Sequence, residues 1–287
     1  MNHNIPDLMK GGTKTDIKIG LSGCKLQLVD NTIKKISPNK SFNNRLVKQA
    51  IKQKYFFGSY SNVFTPQVYN IEKNNFIMEY IPGESYSKFF NKCSKNDLDL
   101  VLKNLYGYFN EIQNNKKTYN SSIVKNKLKN KLKSLLPSSN YKKFIKFVIK
   151  DVENTKFTNI SKTFCHGDLS LTNFIFHRNR LYLVDFLDSY IDTFIIDLVK
   201  LQQDLHFKWA LNAHKSNLRI HQSFNYLWKN IYSKYKKYYD LEFTKIVNIL
   251  NWLRIEPYLK KEKHKQVLNN IIINLEHYEK FNNSNSR

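Results

Sequence analysis

At 287 residues the chain is about twice a typical domain length, which suits one large unit or two modest ones around a cleft and excludes a small secreted scaffold. Hydrophobic residues make up 41%, with 20 Phe and 18 Tyr against 8 Gly and 6 Pro, excluding a disordered or collagen-like chain. The formal charge of +24 comes from 47 Lys+Arg and 23 Asp+Glu; six of the cations are Arg and the rest are Lys dispersed among Asn, the pattern of a solvated surface rather than a dedicated nucleic-acid face.

From Asp16 to about Tyr80 the pattern is short and strand-like. Ile17 to Ile19, Cys24 to Val29 and Thr32 to Ile36 are separated by Gly20-Leu21-Ser22-Gly23 and Asp30-Asn31 turns, predicting three antiparallel strands. Leu46, Val47, Ala50, Ile51 and Lys54 then recur at helical spacing until Gly58 stops the run. Two more strands are expected at about 67–72 and 76–80, around a Lys73-Asn74-Asn75 turn. At Ile81-Pro82-Gly83 the pattern changes, predicting a boundary between a first unit, 1–82, and a second, 83–287.

The second unit reads as mostly helical. Ser94-Lys95-Asn96-Asp97 forms a capping-box pattern ahead of Leu98, Val101, Leu102, Leu105, Phe109 and Ile112, an amphipathic stripe. Further helices are expected near 121–136, 139–155, 194–211, 217–238, 241–255 and 262–280. The exception is 163–190, which reads as a strand at Thr163-Phe164-Cys165, a polar loop, and a hairpin of Phe174 to Phe176 and Leu181 to Val184 about a His177-Arg178-Asn179-Arg180 turn. Cys24, Cys93 and Cys165 form no close pair, so neither a disulfide framework nor a CxxC zinc site is indicated and a reducing, cytoplasmic location is expected. No signal peptide and no membrane span are predicted.

The loop His166-Gly167-Asp168-Leu169-Ser170-Leu171-Thr172-Asn173, with Asp185-Phe186 after the hairpin, carries the chemistry. Phosphoryl transfer from a nucleotide needs a carboxylate to orient or deprotonate the acceptor hydroxyl and hard oxygen ligands for magnesium. Asp168 and Asn173, five residues apart, supply both types, and the hairpin can return Asp185 to the same end. This is the spacing logic of a kinase catalytic loop followed by its metal-binding loop.

HGDLSLTNFIF followed by LVDFLDSY resembles the aminoglycoside phosphotransferase and choline kinase-like family, relatives of the protein kinases. Asp197-Leu198-Val199-Lys200-Leu201 and Arg254-Ile255-Glu256-Pro257-Tyr258 are most similar to its bacterial members associated with capsule and surface-polysaccharide loci. The resemblance implies a two-lobed α+β protein-kinase-like fold, with a small five-stranded antiparallel lobe and a mostly helical large lobe. It implies ATP and Mg2+ as cofactors, Asp168 as catalytic base, Asn173 and Asp185 as metal ligands, and His166 and Asp197 as supports of the loop. Met78 to Gly83 then looks like the hinge, where the backbone of Glu79, Tyr80 and Ile81 meets adenine with Met78 behind it; an edge strand ending at a Pro-Gly turn is the competing reading.

Ser22 and Gly23 could lie over the phosphates, although an ordinary hairpin turn reads equally well. The phosphate-binding lysine is expected to be Lys35, which shares a strand face with Ile33, whereas Lys34 lies on the other face. Two departures stand out. No Asp or Glu occurs between Asn31 and Ile71, which excludes the usual ion pair from the following helix and leaves Gln49 or Gln53 to orient Lys35. Ser170 stands where relatives often carry Lys or His, so a positive charge near the terminal phosphate lacks a source. These departures motivate a rival reading, a nucleotide-binding scaffold without turnover; a basic nucleic-acid binder is the lesser rival.

The acceptor is expected to be a small molecule: a sugar, a surface-polysaccharide precursor or an amino alcohol such as choline. Asp188 and Asp192 are candidates to attract it, with helix capping as the alternative, and Arg254 is a third candidate unless it pairs with Glu256.

Overall fold

The computed structural model describes residues 17–19, 23–114, 117–213, 217–259 and 262–275. Five strands, β1 (Ile17–Ile19), β2 (Lys25–Val29), β3 (Thr32–Ile36), β4 (Val68–Ile71) and β5 (Asn75–Glu79), pair antiparallel in the order β1-β2-β3-β5-β4. The β2–β3 turn places Asp30 and Asn31 at φ 43° and 60°, the two-residue turn whose twist suits a hairpin. Along β3 the alternation buries Ile33 and Lys35 while Thr32, Lys34 and Ile36 are half-buried, so Lys35 stands on the inner face, opposite Phe76 of β5. Helix α1 (Asn43–Phe56) packs on β4 and β5 through a stripe that includes Leu46, Gln49, Ala50 and Gln53. These apolar groups form one core with Ile175 and Val184, which reach it from the hairpin beyond residue 170.

That hairpin belongs to a second sheet. β6 (Glu84–Ser85), β7 (Phe174–His177) and β8 (Arg180–Leu183) run antiparallel in that order, with Arg178 and Asn179 turning at φ 48° and 60°. The chain after α1 is stitched to it: Phe64 N–H donates to Leu181 O at 2.9 Å, and Leu183 N–H donates to Phe64 O at 2.8 Å. The segment 163–165, expected as a strand, is irregular. The third strand of this sheet is β6, two residues directly after the Pro82-Gly83 turn, which pairs with β7.

The remainder is helical: α2 (Tyr86–Lys92), α3 (Lys95–Gln113), α4 (Ser121–Leu135), α5 (Lys142–Asn154), α6 (Phe194–Leu205), α7 (Leu218–Tyr239), α8 (Glu242–Ile255) and α9 (Glu262–Ile273). The capping box of α3 forms as read, with Ser94 N–H on Asp97 Oδ2 at 2.7 Å and Asp97 N–H on Ser94 Oγ at 3.2 Å. Helix α6 stops at Leu205, short of the expected 211, and a separate 3-10 turn, Trp209–Ala213, follows because Lys208 takes φ 60°. Nearly every side chain of α6 is buried, which marks it as the central helix of the larger core. Among the described residues no helix is long and apolar enough to cross a membrane.

Candidate active site

The polar side chains of α6 organise the site. Asp197, Lys200 and Asp204 are spaced by three and four residues, so they lie on one face of a helix otherwise given over to packing. All three are buried, and each meets the 166–173 loop. Asp197 accepts from the backbone N–H groups of His166 and Gly167, both at 2.8 Å, and from the Tyr108 hydroxyl at 2.7 Å. Lys200 pairs with Asp168 at 3.0 Å. Asp204 accepts from Leu171 N–H at 2.7 Å. Buried backbone donors need such partners, and leaving one unmet costs about 1–3 kcal/mol; α6 therefore fixes the loop at its start, middle and end. Burial pushes the Asp197 carboxyl up to about 6 and that of Asp204 to about 7 against the opposing effect of these hydrogen bonds.

His166 is wholly buried. Its Nδ1 accepts from Asp168 N–H at 3.2 Å, which leaves Nε2 to donate to Val184 O at 2.9 Å, and burial pushes its pKa down to about 4. It is thus a neutral strut between the loop and the strand leading to Asp185. Gly167 has φ 85°, and a Cβ there would fall 2.3 Å from Ser189 Oγ and 2.5 Å from Leu187 O. The loop and the 185–192 segment approach closely only because this residue is glycine. Cys165 beside it has its thiol pushed up to about 12 by burial, leaving no thiolate for nucleophilic chemistry.

Asp168, Asn173 and Asp185 converge. Asn173 Nδ2 donates to Asp168 O at 2.9 Å and lies 3.4 Å from Asp168 Oδ2. The hairpin returns Asp185 beside them, with Asn173 O accepting from Val184 N–H at 3.1 Å. Asp185 sits at φ 63°, a left-handed conformation that Asp tolerates better than most residues, and its carboxylate bonds the ammonium of Lys35. Burial opposes ionisation of Asp168, but the charge and hydrogen bond of Lys200, then Arg254 and His166, hold its carboxyl below the usual range.

Lys35 is 4% exposed and reaches Asp185 without help from Gln53, which donates instead to Pro66 O at 3.0 Å and lies 3.4 Å from Met78 Sδ. Ser170 also turns inward on the loop, bonding Thr172 at 2.7 Å. Two lysines not singled out in the sequence complete the arrangement. Lys200 brings a positive charge to Asp168. Lys52, on α1, donates to Leu187 O at 2.7 Å and pairs with Asp192 at 3.2 Å, linking that helix to the loop after Asp185 where a helix acid would otherwise be expected to act.

The outer candidates fall differently. Asp188 pairs with Lys48 at 3.0 Å with both side chains exposed, and Asp192 is held by Lys52. Neither caps α6, whose N-cap position is Thr193. Glu256 is occupied by Ser139 and by Asn140 N–H at 2.7 Å, so it does not pair with Arg254. At the expected hinge, Met78, Tyr80 and Ile81 are buried. The N–H groups of Glu79 and Tyr80 are taken by Gln67 O at 2.9 Å and Asn31 O at 3.2 Å, whereas Ile81 N–H has no partner among the described residues. Gly23 has φ 80°, and Ser22 lies outside the described residues. A cavity of about 340 Å³ lined by Pro82, Gly83, Phe89, Asp97 and the β7–β8 turn includes none of Asp168, Asn173 or Asp185.

A five-stranded sheet joined to a helical body, with the polar loop and the acid-bearing hairpin at their junction, is a kinase-like fold. Among solved structures the chain is similar to the aminoglycoside phosphotransferase APH(2″)-IIa in a ternary complex with streptomycin and ATP, at 17% identity and TM-score 0.52 over 86% of this chain and 94% of that one. It is similar to APH(2″)-Ib with ADP bound, at 16% identity and TM-score 0.50 over 93% and 91%. A Haemophilus somnus 129PT protein assigned as a fructosamine-3-kinase matches at 13% identity and TM-score 0.53 over 93% and 95%. No curated protein matches the sequence. Residues 63–219, more than half of the chain, match the phosphotransferase enzyme family, and the chain belongs to that family.

Proposed function

We propose that this phosphotransferase moves the γ-phosphoryl group of ATP, with magnesium, to a hydroxyl of a small molecule in the cytoplasm, across a cleft hinged at 78–83 between lobes 1–82 and 83–287. The observation that carries this reading is the convergence of Asp168, Asn173 and Asp185 on one loop and hairpin, braced by the polar face of α6. Asp168, kept ionised by Lys200, receives the acceptor's hydroxyl proton. Lys35 serves the phosphates, with Gly23 over them, and Ile81 N–H is the hinge donor for the adenine edge, with Met78 behind it and the backbone of Glu79 and Tyr80 leading up to the contact.

Asn173 and Asp185 fit magnesium. Both offer hard oxygens, and Asn173 spends its amide N–H on Asp168, leaving Oδ1 without a partner among the described residues. Two protein oxygens completed by substrate phosphates is the usual arrangement for this ion, and among the described residues no three His, Cys, Asp or Glu groups form a self-sufficient metal site. When bound, the ion neutralises charge on the transferring group. Catalysis by this chain then rests on positioning: α6 fixes the loop, Asp168 orients the hydroxyl and Lys35 fixes the donor. The ATP and ADP held by the two aminoglycoside phosphotransferases support the choice of donor. The acceptor belongs among sugars, surface-polysaccharide precursors and amino alcohols.

The test is magnesium-dependent ATP turnover against an acceptor panel. Asp168→Ala is expected to lower turnover by about 100-fold or more while ATP binding persists. An Asp185→Asn variant that matches the parent would overturn the site assignment.

A further inference from the structure

The charges around the acceptor side do not balance, and the imbalance has a sign. Four carboxylates of the site each have a lysine: Asp168 has Lys200 at 3.0 Å, Asp185 has Lys35, Asp188 has Lys48 at 3.0 Å and Asp192 has Lys52 at 3.2 Å; the two buried acids of α6, Asp197 and Asp204, are held instead by the loop's backbone N–H groups. Three further cations, Arg45 on α1, Lys131 on α4 and Arg254 in the last turn of α8, have no carboxylate partner among the described residues.

Lys131 and Arg254 lie on packed helices, and Arg45, exposed on α1 with its guanidinium over the Phe42 ring, acts on Lys131 from outside. Helices α4 and α8 pack together. One turn before Lys131 on α4, Lys127 donates to the backbone oxygen of Tyr190 at 3.2 Å, which places this face of α4 against the 185–192 segment. Burial, then Arg254 and then Arg45, push the Lys131 ammonium down, and Arg254 also acts on Asp168. Unsatisfied polar groups stand beside them. Asn251, three residues before Arg254 and so on the same face of α8, is 1% exposed, and both its amide oxygen and its nitrogen lack partners; the hydroxyl of Tyr190 is likewise buried and unpartnered.

Lys131 and Arg254, half-buried like charges drawn together without a counterion, repel, and buried polar atoms without partners cost free energy. An anion that accepts from the guanidinium and ammonium groups relieves both, and Arg offers the planar fork that fits a carboxylate or phosphate. We propose that the phosphoryl acceptor is a hydroxyl compound bearing an anionic group, a phosphate or a carboxylate, which Arg254, Lys131 and Arg45 receive beside Asp168. The inference rests on the phosphotransfer reading and narrows its acceptor. It also replaces the expectation that Asp188 and Asp192 draw in a cation, because both are neutralised and the remaining charge repels choline-like compounds.

The experiment uses the full chain with Mg-ATP and matched acceptors: glycerol against glycerol 3-phosphate, glucose against glucose 6-phosphate and glucuronate, and choline. The anionic member of at least one pair is expected to be preferred in kcat/KM, with the phosphate and carboxylate arms separating the two chemistries. Arg254→Ala is expected to raise the KM of that acceptor by about 30-fold or more, leaving the KM for ATP within about twofold, and Arg254→Lys is expected to recover part of the loss. Preference for glycerol, glucose or choline overturns the proposal while leaving phosphotransfer standing. Loss of both ATP binding and turnover sinks the phosphotransfer reading instead. If ATP binds and no acceptor is turned over, calorimetry with inorganic phosphate and glucuronate decides: saturable binding abolished in Arg254→Ala supports the anion site, and its absence overturns it.

Discussion

Lys200 is the residue whose role depends most on where the chain puts it. Its ammonium is delivered to Asp168 from inside α6, with its side chain 11% exposed and that of Asp168 26% exposed, so the pair is screened less than a surface contact. Lys200→Met is expected to lower kcat by about 100-fold with little change in the KM for ATP, and Lys200→Arg to restore part of it. Steady-state kinetics beside a melting curve check this, and a Lys200→Met protein with parental kcat would reduce the pair to scaffolding. Asp168, Asn173 and Asp185 stood out in the sequence because short polar residues at a fixed spacing interrupt apolar strands. Lys200 did not, because lysine is the background of this chain. The available signal was its position inside Ile195 to Leu205, an apolar run in which a buried cation needs an anion, with Asp197 and Asp204 marking the same face.

At the level of elements, the contact between α1 and the 185–192 segment stands where the usual lysine–glutamate pair is excluded by the sequence. Lys52 is buried and makes two bonds across that contact, whereas the Lys48–Asp188 pair a turn away is 64% and 51% exposed. Lys52→Met is expected to destabilise the fold by about 1–3 kcal/mol, chiefly through the unmet Leu187 carbonyl. Lys48→Met is expected to change it by less than about 1 kcal/mol. Denaturant melts of the two variants side by side make the comparison, and equal midpoints would remove Lys52 from this role. The five strands and α1 were legible because alternation and two-residue turns are local signals. Helix α2 and β6 were not: seven residues give too few turns to show a period, and two residues show no alternation. Thr163 to Cys165 misled for the opposite reason, since an apolar extended segment looks like a strand whether or not a neighbour offers a ladder.

For the whole molecule, the net charge of +24 acts at longer range than any single ion pair. On the proposed reading both ATP and the acceptor carry negative charge, and the field of the protein would raise their rate of encounter with the site. Chemistry between groups already in contact, such as Lys200 with Asp168, is shielded by burial and responds little to salt. The two effects separate in one measurement: kcat/KM for ATP is expected to fall several-fold between about 0.05 and 0.5 M salt while kcat changes by less than about twofold. A kcat that fell in step with kcat/KM would place the salt sensitivity in the site's own ion pairs. The four lysine–carboxylate pairs around the loop, not the dispersed surface charge, would then govern how this protein responds to its ionic surroundings.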